Sequence, residues 1–153
     1  MKEGEKAFGY WTSEVAVKSI PSQGDAIVLF QTEAIDYGRG PVAIKLVLNE
    51  EALKGQTVET LDERISKSST TVANNLVEAM WHECGHAKII NGKSAEEVQD
   101  IYENLENKGV QGVSTSASDD GVEALAEAEV LLRRGEELPK ELKALYDSYY
   151  NHR

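Results

Sequence analysis

His82-Glu83-Cys84-Gly85-His86 sets two imidazoles four residues apart with a carboxylate beside the first. On a helix, positions i and i+4 lie one above the other, so both rings can reach one divalent cation at the roughly 2.0–2.1 Å that Zn²⁺ requires. Glu83 is turned by about 100° from His82. That takes it off the ligand row but leaves it within reach of a water at the cation, where a general base belongs. The pattern predicts Zn²⁺ held by His82 and His86, with Glu83 activating a water for peptide-bond hydrolysis. The remaining histidine, His152, is the penultimate residue of the chain and is expected to fray.

A catalytic zinc site takes a third protein ligand and leaves a fourth position for water. The segment Val122-Glu123-Ala124-Leu125-Ala126-Glu127-Ala128-Glu129 offers one. Glu123 and Glu127 share a helix face, and the alanines between them let that helix approach another closely. Two acids on one face repel unless a cation lies beside them. Glu123 is therefore expected to ligate the metal, and Glu127 to accept the N–H of a ligand histidine, foremost His82, fixing its tautomer. Glu127 or Glu129 as the ligand is the alternative. Cys84 reads as a small buried residue rather than a ligand or nucleophile. Gly85 costs its helix about 1 kcal/mol, which is reasonable where another segment passes close by.

The elements that must position these groups can be read from periodicity. The first third is β-rich. Glu14 to Ile20 alternates, with Val15 and Val17 on one face, and a turn at Pro21 to Gly24 suggests a hairpin into the apolar run Ala26 to Gln31. Val42 to Leu48 reads as another strand. From residue 50 the period is helical, with Leu53, Val58, Leu61 and Ile65 on one face and a polar break at Ser66 to Thr71. Thr70 to Ile90 reads as the metal helix, capped by the Ser/Thr cluster and stopped at Asn91-Gly92. Ser94 and Glu97 form a capping box opening a helix to about Lys108. Val110 to Ser118 reads as a loop or weak strand. Asp119 or Asp120 caps a helix from Val122 to about Arg134, and Pro139 begins a last helix to about Tyr150.

The expected architecture is α+β: a small mixed or antiparallel sheet packed on the motif helix, followed by a mostly helical C-terminal half. At 153 residues one core, hence one domain over 1–153, is expected. Lone Cys84 rules out an intramolecular disulfide. The net charge of −11 argues against nucleic acid or an anionic membrane as partner and favours a basic or neutral peptide or protein. The opening MKEGEKAFGYW shows no apolar signal core, and no apolar run approaches the roughly 20 residues of a membrane span. The chain as given reads as cytoplasmic, although a domain excised from a secreted toxin would look alike.

These residues resemble the zincin superfamily, in particular its gluzincin branch, whose third ligand is a glutamate on a second helix. Glu123-Ala124-Leu125-Ala126-Glu127 is similar to the E-x-x-A-E segment of lethal-factor-type catalytic domains and of small zincin-like domains in bacterial toxins and phage proteins. The resemblance implies a zinc metallopeptidase with His82, His86 and Glu123 as ligands, Glu83 as catalytic base and Glu127 supporting a ligand from behind. Lethal-factor relatives carry an oxyanion-stabilising tyrosine upstream of the ligand glutamate, where this chain has Ser114-Thr115-Ser116, so Tyr146, Tyr149 or Tyr150 would have to substitute. Gly92 stands where metzincins carry a third histidine. Edge-strand binding of an extended substrate by Val42 to Leu48 is a further expectation from the resemblance. Two other functions are compatible with the sequence: a non-hydrolytic zinc-binding regulatory module, and an acidic interaction or inhibitor protein in which the motif is accidental.

Overall fold

The computed structural model describes residues 14–20 and 28–151. Three strands, β1 (Glu14–Lys18), β2 (Phe30–Ile35) and β3 (Ala43–Asn49), form a mixed sheet in the order β1-β3-β2. β3 pairs in parallel with β1 and antiparallel with β2, from Phe30 opposite Leu48 to Ile35 opposite Ala43. Because side chains alternate along a strand, Ile44, Leu46 and Leu48 share one face. They meet Phe30, Met80, Cys84, Ala87, Ile90 and Leu125 in the main core.

Seven helices follow among the described residues: α1 (Glu50–Leu53), α2 (Val58–Ser66), α3 (Leu76–Ile90), α4 (Ala95–Leu105), α5 (Thr115–Asp119), α6 (Gly121–Arg133) and α7 (Lys140–Tyr150). The fold is thus α+β. Helix α3 packs on β2 and β3 and, along another flank, on α6. A second apolar cluster of Val110, Ala117, Ala124, Ala128, Leu131 and Leu142 joins α5, α6 and α7. Among the described residues no helix is long and apolar enough to cross a membrane.

The structure corrects several readings of the β-rich third. β1 and β2 do not form a hairpin, since β3 lies between them; the turn at 21–24 lies outside the described residues. β2 starts at Phe30 rather than in the run from Ala26, because its pairing with β3 selects the alternating segment FQTEAI. β3 is central, not an edge strand, and the edge nearest the motif helix belongs to β2. Val15 and Val17 on β1 are 54% and 61% exposed, so their alternation marks a strand without marking a buried face.

Helical boundaries shift for reasons of hydrogen bonding. α3 begins at Leu76 rather than near Thr70, because the Asn75 side chain accepts from Glu78 N–H and caps it there, while the backbone N–H of Val72 is spent on Glu127. Gly55, at φ +70°, separates α1 from α2, where a single amphipathic period is predicted; glycine takes this left-handed conformation readily. The Ser94–Glu97 capping box is present as expected. The segment read as a loop or weak strand contains α5, capped by Ser114.

Candidate metal centre

Helices α3 and α6 run antiparallel. At one end Glu78, in the first turn of α3, pairs with Arg134 just beyond α6, and the same guanidinium donates to the carbonyl of Val72. Midway the two backbones come into close approach. A Cβ built on Gly85 would lie 2.6 Å from Cα of Ala126 and 3.1 Å from Cβ of Glu129, so only glycine fits there. Ala126, on the α6 side of this contact, is fully buried, while Ala124 and Ala128 pack into the second cluster with α5 and α7. The small residues of the two motifs thus explain each other: they let imidazoles on one helix meet carboxylates on the next.

The meeting is direct. His82 Nε2 lies 2.9 Å from Glu123 Oε2, His86 Nε2 lies 3.3 Å from Glu123 Oε1, and the two Nε2 atoms are 3.1 Å apart. The donor atoms of these three residues fall within 4.8 Å of one another. Two nitrogens bound to one tetrahedral zinc at 2.0–2.1 Å would be separated by about 3.3 Å, close to the spacing observed. Two facing Nε2 atoms at 3.1 Å have room for one shared proton between them, whereas a cation satisfies both lone pairs and the carboxylate together. The donor set therefore fits a zinc ion.

Glu127 lies behind His82. Its side chain is wholly buried; Oε2 lies 3.2 Å from His82 Nδ1, while Oε1 accepts from Val72 N–H at 3.0 Å and from the Ser114 hydroxyl at 2.7 Å. A carboxylate on Nδ1 keeps a proton there and turns Nε2 toward Glu123 and His86. Glu129 lies outside this cluster: its carboxylate pairs with Arg133 at 2.8 Å and faces Lys88 at 3.6 Å.

Electrostatics agree with the geometry. Burial opposes the charge on His82, yet Glu123 and Glu127 outweigh it and hold the imidazole pKa well above its ordinary value. Burial likewise opposes charge on His86, and Glu123 with Glu83 reverses the effect and raises its pKa. Burial also opposes ionisation of Glu123, but the two histidines hold its carboxyl far below the usual range. The cluster draws positive charge to its centre, whether as protons or as a metal ion.

Glu83 is buried next to the cluster without belonging to it, and its Oε2 accepts a 2.6 Å hydrogen bond from the hydroxyl of Thr32 on β2. Thr32 also lines a groove of about 540 Å³ between β2 and α4, together with Ala34, Val42, Val98 and Tyr102. The phenol pKa of Tyr102 is raised by burial and then by Glu123, Asp120, Tyr149 and Glu83, which keeps it a hydroxyl donor on that wall. Of the tyrosines named from the sequence, Tyr146 accepts from Lys88, Tyr149 donates to the carbonyl of Ile89, and Tyr150 lies under the Lys88 ammonium.

Sequence reasoning missed Thr32, Ser114 and Tyr102. For Tyr102 a signal existed, because it shares a helix face with Val98 and Leu105. For Thr32 and Ser114 there was none, since Thr32 reaches Glu83 from a strand 51 residues away and Ser114 reaches Glu127 only through the packing of α5 on α6. His152 lies outside the described residues. The chain matches no protein-family model, no curated protein and no solved structure at a significant level.

Proposed function

We propose that this chain is a small gluzincin-type zincin that hydrolyses peptide bonds, with His82, His86 and Glu123 as the zinc ligands and Glu83 as general base. One observation carries the reading: two Nε2 atoms and a carboxylate converge from α3 and α6, with a second, separately held carboxylate alongside. Zinc bound there would polarise a scissile carbonyl and lower the pKa of a water toward ~7.

The chain's own groups do the rest. Glu83 removes a proton from the attacking water and returns it to the leaving amine nitrogen. Glu127 fixes the ring of His82, and Tyr102 offers a neutral hydroxyl from the groove wall. Three protein donors, the number in the cluster among the described residues, is the count of an open, catalytic zinc site rather than a closed structural one. This supports hydrolysis over a regulatory zinc module. The net charge of −11 favours a basic or neutral peptide or protein as substrate.

The test combines elemental analysis with cleavage of a random peptide library. One zinc per chain and cleavage by the wild type are expected. Glu83→Gln should retain zinc and lose turnover by about 10²-fold or more. Equal cleavage by Glu83→Gln, or purification without stoichiometric zinc, would overturn the assignment.

A further inference from the structure

Glu83 is 7% exposed, and a buried carboxylate left without donors carries a large desolvation cost. Its carboxylate receives a hydrogen bond from across the fold: the Thr32 hydroxyl, 51 residues away, at 2.6 Å from Oε2. That separation is typical of a hydroxyl on a carboxylate, the stronger class of hydrogen bond, at about 2.5–2.7 Å. Thr32 sits on the strand whose inner face also carries Phe30 and Ala34, packed with the core, so its backbone is held by the pairing of Leu46 with Thr32. The β-branched side chain restricts χ1 further.

We propose that Thr32 is the positioning residue of the general base: its hydroxyl fixes the Glu83 carboxylate in the rotamer that presents the other oxygen to the attacking water. The same hydroxyl lies 3.3 Å from the main-chain carbonyl of Glu83. The transferred proton resides on Oε1, so Oε2 goes on accepting from Thr32 and the side chain need not move between the two proton transfers. Because Thr32 is also a wall of the β2–α4 groove, the base is anchored to the surface against which a substrate would lie. This role rests on the peptidase reading given above.

Thr32→Val preserves shape and removes the donor; Thr32→Ser restores the donor with less bulk. The measurements use the zinc-loaded 153-residue chain and the peptide that the wild type cleaves fastest from a random library. In Thr32→Val, kcat should fall by about 10- to 100-fold, the range expected when a reacting group is displaced, with KM changed less than about threefold and zinc content unchanged. Thr32→Ser should recover kcat to within about threefold. A second arm reads the hydrogen bond without turnover: the ¹³Cδ resonance of Glu83 should move in Thr32→Val and return in Thr32→Ser. An active wild type with kcat unaltered in Thr32→Val, an unmoved Glu83 resonance, or a Thr32→Ser as impaired as Thr32→Val would overturn the role alone. A zinc-loaded wild type that cleaves no peptide would overturn the peptidase reading and this role together.

Discussion

The carboxylate of Glu127 lies 3.2 Å from Nδ1 of His82, and this contact decides which nitrogen of the first motif histidine faces the centre of the cluster. Its other oxygen ties down Val72 N–H and the Ser114 hydroxyl, so one buried acid couples a ligand to two connecting segments. Glu127→Gln should weaken zinc binding by about 10- to 100-fold, as loss of a ligand's hydrogen-bond partner does. Glu127→Ala should in addition destabilise the fold by about 1–3 kcal/mol for each buried donor left unpaired. Chelator competition reads the first effect and urea unfolding the second.

Gly85→Ala gains roughly 1 kcal/mol of helix propensity, yet its methyl would fall 2.6 Å from Cα of Ala126. The backbone of α6 cannot yield as a flexible side chain would. A net destabilisation of about 1–3 kcal/mol is expected from the overpacking, together with weaker zinc binding as Glu123 is carried away from the histidines. Stability and affinity unchanged from wild type would contradict the close approach of the two helices.

The pH dependence of the metal-free protein follows from its raised histidine and lowered glutamate pKa values. Histidines raised on folding stabilise fully below their unfolded value of about 6.5 and cease to do so as pH climbs through the folded values. Glu123, lowered on folding, contributes above about pH 4.3 and loses that contribution as pH falls through its folded value. The stability difference between wild type and Glu123→Gln, measured with chelator present, should therefore be greatest between about pH 4.3 and 6.5 and shrink on the alkaline side. Zinc must displace the same protons, so its apparent affinity should tighten as pH rises, with proton release visible by calorimetry in buffers of different ionisation enthalpy.

Cys84 is wholly buried beneath the motif helix, and burial pushes its thiol up to about 12. Thiolate is the reactive form. The native protein should resist a disulfide-exchange reagent such as DTNB at pH 8 and react with one equivalent in denaturant. Rapid reaction of the folded protein would show that the α3 core opens readily.

The motif helix and the face that carries its histidines were legible locally, because helical periodicity, a capping box and i, i+4 spacing are properties of contiguous sequence. His82, His86, Glu123 and Glu127 could be singled out as groups that meet, with Glu83 beside them, and the approach of a second helix could be inferred from Gly85 and the alanines. Strand identity was also legible in Val42 to Leu48, but partner and order were not: a side-chain period of two says which residues alternate and nothing about which strand lies next to which. Thus β3 became the centre of the sheet, and β1 paired with it in parallel instead of folding back on β2.

Tertiary structure gave the acids of α6 their different partners. The sequence favours Glu123 as ligand and leaves Glu127 or Glu129 as the alternative; the packing of α6 on α3 turns Glu123 to both Nε2 atoms, Glu127 to Nδ1 and Glu129 to Lys88 and Arg133. It also supplied Thr32 to Glu83 and Ser114 to Glu127. Such partners are fixed by the relative placement of whole elements, which depends on how the core closes. A local pattern can specify a helix face, but the core determines what that face meets.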